Sequence, residues 1–511
     1  MADARASGGE RPLYSNGYKA TVLGLLLATY TFNFIDRTII ATIGQAIKVD
    51  LKLTDTQLGL LGGLYFALLY TLLGIPIARL AERWNRVTII SLSLVVWSGF
   101  TALCGAATSF AQLALFRFGV GVGEAGCSPP SHSLISDYYE PKKRASALSI
   151  YSFGIPLGTM FGAVAGGWLA QEFSWRVAFV IVGLPGVILA LIVKLVIKEP
   201  PRGHSEIVER PIEPENLVVE PAPKPAFSMA NEFAELWAVF KILFFKWPVL
   251  HMVLGVTIAS FGSYGSGAFV PSYFVRAFGL GLAQVGLITG LIGGFSAGVG
   301  TLVGGFLSDW AGKRSVKWYA WVPAIGLIIC TPIYILAYLQ TDWQATAMIL
   351  LIPGIFHYVY LAPTFAVVQN SVEPRRRATA TALLFFFLNL IALGGGPVFT
   401  GWLIDHTSKD LFVLANINDM VLVKNEFLNT IKYLPAHQVA LTDPQGFQAV
   451  CPGGMPPVGV SVNYAAACKE SLVYGTRHGI IISLCFYAWA GVHYALAAIG
   501  MVKHMKSREA A

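Results

Sequence analysis

The chain has 511 residues, 55% of them hydrophobic and only 13% charged, with a mean hydropathy of +0.62. Soluble domains carry about 25% charged residues, so this composition excludes a soluble globular protein. A formal charge of +8 could point to nucleic acid, but the placement of charges decides such questions more than their sum. Six cysteines without a CxxC pair give a metal site no support.

In chain order, the first eighteen residues, MADARASGGERPLYSNGY, are polar and lead straight into a full-length apolar stretch. That is a membrane span, not a cleaved secretory signal. A span takes about 20 apolar residues. Spans 1 to 6 are predicted over 19–43, 57–78, 87–108, 111–136, 145–170 and 176–197. Spans 7 to 12 follow over 248–275, 282–309, 317–339, 345–369, 378–403 and 477–502.

Residues 199–227 are rich in Pro and Glu and read as a flexible linker. The next stretch, ANEFAELWAVFKILFFKWP, reads as an interfacial helix with Lys241 and Lys246 at lipid head groups, the alternative being a soluble amphipathic turn. The predicted plan is a first six-helix bundle over 1–198, a linker with interfacial helix over 199–247, a second bundle over 248–503, and a tail over 504–511. The loop at 404–476 holds Cys451 and Cys468. A disulfide in an oxidising compartment and two free thiols both remain open there.

Lys and Arg set the orientation. With the N-terminus cytoplasmic, the inward segments, RLAERWNR, PKKR, GKRSVK, EPRRR and VKHMKSR among them, together hold 25 of the 36 basic residues. Both termini are therefore expected in the cytoplasm. The two sets of six repeat each other: YEPKKRASALSIY (139–151) matches VEPRRRATATALL (372–384), and GIPIARLAERWNR (74–86) aligns with GGFLSDWAGKRSV (304–316). Parallel repeats of six helices indicate two bundles about an axis along the membrane normal.

The chemistry-bearing residues lie inside this apolar background. NFIDRTII (33–40) places Asp36 and Arg37 near the end of span 1, although a charge at mid-bilayer costs about 2.5–3.5 kcal/mol on insertion scales. Adjacent helix residues point roughly 100° apart, so each needs another partner. Span 4 supplies them: Arg117 and Glu124 are seven apart, hence on one face and about 10.5 Å apart along the axis. We expect Asp36 to pair with Arg117, and Glu124 with Arg37 in a looser, changeable pair, with Asn33 beside them. A carboxylate in a dry cavity resists ionisation through desolvation and is ionised more readily beside Arg. Glu124 is thus the expected proton carrier and Asp36 the second, while Arg37 controls the acid or holds an anionic head group. The plainer alternative is a static network fixing span 1 against span 4.

Span 5 carries Gly154, Gly158, Gly162 and Gly166 at i+4 spacing, and span 8 carries Gly290, Gly294 and Gly298. Such columns allow close backbone approach in lipid, either across a sliding seam or inside one bundle. His357 and Asn389 are polar residues within spans 10 and 11. They are cavity candidates together with Tyr65 and Tyr358, ordinary core packing being the alternative.

The stretch GIPIARLAERWNR resembles the signature loop of the major facilitator superfamily, and GGFLSDWAGKR its second copy, which keeps the usual acid as Asp309. The first copy departs from the pattern with Arg79 where an acid is common. NFIDRTII together with FRFGVGVGEAGCSPPSHSLISDYY is more narrowly similar to the spinster branch. The resemblance implies an all-α fold of twelve transmembrane helices in two pseudo-symmetric bundles. It also implies export or movement of a lysophospholipid or phosphorylated sphingoid base, with protons. It brings spans 5 and 8 together across the bundle interface. It also makes Arg79, Glu82, Arg86, Arg144, Asp309, Lys313, Arg314 and Arg377 candidates for gating latches between bundles. An antiporter motif would have Gly-Pro in span 5, where this chain has Gly162-Ala163; that weakens a drug–proton exchange reading.

The expected function is secondary active transport of an amphiphilic anion by a monomer in the bacterial inner membrane. Its partners are membrane lipids, protons and the cargo; no nucleic acid, cofactor or metal is expected. The alternatives are a smaller organic anion or a hydrophobic drug as cargo, or a membrane receptor that binds without transport. No Walker A loop, HExxH or GxSxG supports an enzyme.

Overall fold

Several helices in this chain start at a side-chain cap that the sequence supplies. Ser15, Thr54, Asn85, Ser109, Ser174, Asp342 and Ser461 each accept a hydrogen bond from the backbone N–H three residues on. At Thr54 the box is closed, because its own N–H donates to the Gln57 side chain at 2.9 Å. The computed structural model describes residues 14–202, 229–373, 376–425 and 430–502. Most of the predicted linker, the whole tail 504–511 and part of EPRRR lie outside the described residues.

Among the described residues, ten helices are long and apolar enough to cross a membrane. They correspond to every predicted span except 1 and 4, the two that carry the buried charges. Span 1 is the helix Asn16–Thr42. Span 4 is cut after Glu124 into Phe110–Glu124 and Ser128–Tyr138. The cut has a local cause: Pro129 and Pro130 offer no N–H to the turn before them, yet suit the first turn of a new helix.

Two predicted boundaries need correction. Spans 11 and 12 run over Thr379–Leu414 and Val462–Ala498, so the loop between them is 415–461 and not 404–476. Hydropathy missed these extensions because they bury polar side chains, Ser408, Ser471 and Thr476 among them, against neighbouring helices. The loop also adds the β-structure of an otherwise helical chain, an antiparallel pair of β1 (Met420–Asn425) and β2 (Thr430–Pro435).

Packing repeats with a shift of six spans. Span 1 packs on 5 as 7 packs on 11, 2 on 4 as 8 on 10, and 3 on 6 as 9 on 12. The two halves then meet along two seams, 5 against 8 and 2 against 11. Large apolar side chains such as Leu115, Ile188, Leu195, Leu302 and Phe306 point outward from the bundle, as a lipid-facing surface requires.

The glycine columns divide between the two roles open to them. Gly154, Gly158, Gly162 and Gly166 face Thr31, Phe34, Ile35 and Ile39 of span 1, inside the first half. The seam to span 8 is instead made by Ala163 and Gly167 against Leu282, Gly286 and Gly290. A Cβ on Gly286 would stand 2.2 Å from the Ala163 carbonyl oxygen, and one on Gly59 2.3 Å from that of Pro397 in the mate seam. Further along span 8, a Cβ on Gly298 would meet nothing within 4 Å. The halves thus touch backbone to backbone near the end that carries the 415–461 loop, and Gly298, nearer the end that carries the termini, takes no part in the contact.

This contrast makes a prediction. Gly286→Val should cost about 1–3 kcal/mol by overpacking the seam and lower the thermal unfolding midpoint in detergent, whereas Gly298→Ala should leave it unchanged. Equal midpoints for the two variants would remove the seam from the account.

Candidate functional site

The buried charges of spans 1 and 4 do meet. Asn33, Asp36, Arg117 and Glu124 are each 1% exposed, and Arg37 is the one with an open edge, 18% of its side chain being accessible. Its Nε donates to Glu124 Oε2 at 2.6 Å. The guanidinium lies over the rings of Phe34, Phe66 and Tyr70 at 5.1, 4.9 and 4.6 Å from their centroids, within cation–π range.

The pairing differs from the expected one. Arg37–Glu124 is the direct pair, not the loose one, and Asp36–Arg117 closes no ion pair. Arg117 is instead turned by the packing of span 2 so that its Nε donates to the Leu61 carbonyl oxygen at 3.1 Å, while it stays within electrostatic reach of Asp36. Asp36 faces the Thr101 hydroxyl and the Trp97 indole without a closed hydrogen bond to either. One oxygen each of Asp36 and Glu124, and both amide atoms of Asn33, lack a partner. Buried polar atoms are nearly always hydrogen-bonded, so this cluster of orphans marks a place that a proton, water or ligand group completes. The chain break just after Glu124 lies beside it; irregular helix at such a point is a recurrent feature of functional sites.

The cavity candidates separate. Tyr65 packs on Phe110 and Phe118. His357 is held between two hydroxyls, Tyr334 on Nδ1 and Tyr487 on Nε2, each at 3.2 Å, as a core histidine would be. Tyr358 is half-buried and stacks on His357. Asn389 is half-buried within a π-helical stretch, Leu388–Leu393. Tyr264, which sequence reasoning passed over, lies on span 7 within reach of Arg37 and keeps 38% exposure, so it faces an interior opening.

The gating candidates do not bridge the halves among the described residues. Arg86 is fully buried and binds Asp137 (2.5 Å) and Glu199 (2.6 Å), a rivet inside the first half. Arg79 and Glu82 are 3.8 Å apart on one exposed helix face. Arg144 donates to the Ser136 carbonyl, Asp309 accepts from Tyr319, Arg314 lies over Trp310, and Lys313 and Arg377 are exposed.

Charged contacts between halves occur at the opposite end, among residues the sequence did not single out. Lys48 binds Asp55 at 2.5 Å, and Arg276 of span 7 binds the same carboxylate at 2.5 and 3.2 Å. Arg276 also donates to Gln45 and Thr476, both at 2.7 Å. Asp405 of span 11 accepts from the backbone N–H groups of Asp55 and Thr56 and from the Thr56 hydroxyl. KVDLKLTDTQ reads as a plain polar loop, so only the fold reveals this network.

A many-helix membrane protein whose halves meet on two bare-backbone seams, with partly unpaired charges buried in the first half, is built as a carrier. The Major Facilitator Superfamily model matches residues 26–397. A crystal structure of a bacterial homolog to the human lysosomal transporter spinster, inward-facing and unoccupied, is 33% identical, with a TM-score of 0.78 over 96% of this chain and 99% of that one. An MFS-type efflux pump of Mycolicibacterium smegmatis is 32% identical over 76% of this chain and 85% of its own length. The hexuronate transporter of Bacillus subtilis is 26% identical over 79% and 92%. The chain belongs to the major facilitator superfamily, as a spinster-like transporter and multi-pass protein of the bacterial inner membrane.

Proposed function

We propose that this chain moves an amphiphilic anionic lipid, of the lysophospholipid or sphingoid phosphate kind, by proton-coupled alternating access. In this reading twelve spans form two six-helix bundles, 1–198 and 248–503, joined by 199–247, with both termini cytoplasmic and a single chain as the working unit. One observation carries it: Arg37, caged by Phe34, Phe66 and Tyr70, holds Glu124 at 2.6 Å in a dry cluster with orphaned carboxylate oxygens. A guanidinium with an open edge suits a phosphate, and the rings around it suit the first part of a tail. Tyr264 and Tyr358 supply the facing wall from the second half. When the anion draws Arg37 away, Glu124 loses its counter-charge and takes a proton, with Asp36 as the second acceptor. Arg117 serves as a brace to Leu61.

Similarity to the hexuronate transporter favours a second reading in which the anion is small and hydrophilic. Purified protein in liposomes separates the two, using labelled lysophospholipid and labelled hexuronate with and without a pH gradient. Gradient-driven movement of the lysolipid alone is expected; movement of hexuronate alone would replace the first reading by the second.

A further inference from the structure

The network at the loop end is dry: Lys48, Asp55 and Arg276 are 1%, 0% and 6% exposed. Its residues come from both halves, Gln45, Lys48, Asp55 and Thr56 from the first and Arg276, Asp405 and Thr476 from the second. Against its Lys48 lies the segment Phe447–Gly454 of the 415–461 loop. Cys468, in the second turn of span 12, is bonded to Cys451, with their Cα atoms 5.9 Å apart. This tether holds the turn Pro452–Gly454 down on the first half's short helix Gly44–Leu51.

The fit leaves no spare room. Gly453 and Gly454 have φ of 65° and 82°, a region that favours glycine. A Cβ on Gly453 would stand 2.9 Å from the Lys48 carbonyl oxygen, and one on Gly454 3.5 Å from Lys48 Cε. Beside them Gln448 makes two contacts: its Nε2 donates to the Lys52 carbonyl, and its Oε1 accepts from the Gly453 N–H. The network also reaches the central charges. The helix Asp55–Gly62 begins at the carboxylate held by Lys48 and Arg276, and near its other end the Leu61 carbonyl accepts from Arg117.

We propose that the disulfide-tethered segment Phe447–Gly454 is a cover over the Lys48–Asp55–Arg276–Asp405 contacts and holds the loop end of the transporter closed. Charges attract more strongly in a low-dielectric setting than in water. Excluding water from the network therefore strengthens the closure, and lifting the cover weakens it without touching a charged residue. The proposal rests on the alternating-access reading above but not on the identity of the cargo.

The test reads access, not transport. Ser272 of span 7 is 1% exposed, and its hydroxyl lies 4.0 Å from where a Cβ on Gly44 of the first half would be. With Cys485→Ser removing the exposed native thiol, Ser272→Cys reports opening of the loop end to a membrane-impermeant maleimide in proteoliposomes. Labelling is expected to be slow in that background and several-fold faster once Cys451→Ser and Cys468→Ser are added together. Gly453→Ala, with the disulfide intact, should accelerate it in the same direction and serves if the double-serine protein does not fold. An unchanged rate with Gly453→Ala and with the serine pair overturns the cover. Because no cargo is present, a failure of lysolipid flux leaves this result standing, and the reverse holds too.

Discussion

Glu124→Gln is expected to abolish uptake driven by a pH gradient in proteoliposomes while exchange of cargo across the membrane continues. The amide keeps an acceptor for the 2.6 Å bond from Arg37 Nε, so the contact between spans 1 and 4 survives in outline. What it loses is the ability to take a proton, and with it any dependence of the cycle on the gradient. Exchange needs only that the loaded carrier reorient, which does not require net proton movement. The measurement is initial rates of both modes at matched protein density. Gradient-driven uptake that persists at the wild-type rate would take Glu124 out of the mechanism and return the cluster to a static role. Asp36→Asn is expected to weaken the same coupling less, because Asp36 makes no ion pair with either arginine.

The second large effect concerns stability. Arg276→Ala should destabilise the protein by about 3–5 kcal/mol, the usual range when one partner of a buried pair is removed. Asp55→Ala should cost more, since it strands two cations: Lys48 and Arg276 both approach that one carboxylate at 2.5 Å. The order of the two variants is the diagnostic. Unfolding midpoints in detergent, followed by tryptophan fluorescence, should fall from wild type to Arg276→Ala to Asp55→Ala. A smaller loss for Asp55→Ala than for Arg276→Ala would mean that the carboxylate is not the hub.

These two sites differ in how far the sequence announced them. Asp36, Arg37, Arg117 and Glu124 stand out because an ionised residue inside an apolar run is expensive wherever it ends up, so its presence alone asks for a reason. Lys48, Asp55, Arg276 and Asp405 sit near span ends, where charges cost little in most proteins and thus carry no signal. The gating candidates carry a sequence signal of another kind. Arg86 and Arg144 occupy the expected motif, but whether a basic side chain reaches across to the other half or back into its own depends on which end of the protein is closed.

Pairing among the central charges also had to wait for the fold. Helical spacing puts Arg117 and Glu124 on one face about 10.5 Å apart, but spacing does not determine the rotation of span 4 against span 1. Two competitors that sequence spacing does not see decided the matter: the Leu61 carbonyl, which draws off Arg117, and the rings of Phe66 and Tyr70, which steer Arg37.

The sequence by itself determined that the chain lives in a membrane, that it is built from a repeated half, and that spans 1 and 4 carry charges inside apolar runs. Those properties are local or additive: apolar length, basic loops and misplaced charges each read from a short window. The tertiary structure alone decided which charges touch, that span 1 takes the Gly154–Gly166 column while Gly167 and Gly286 make the seam, and that a tethered loop covers Lys48. Each of these depends on the relative position of segments hundreds of residues apart, which close packing fixes and no window of sequence contains.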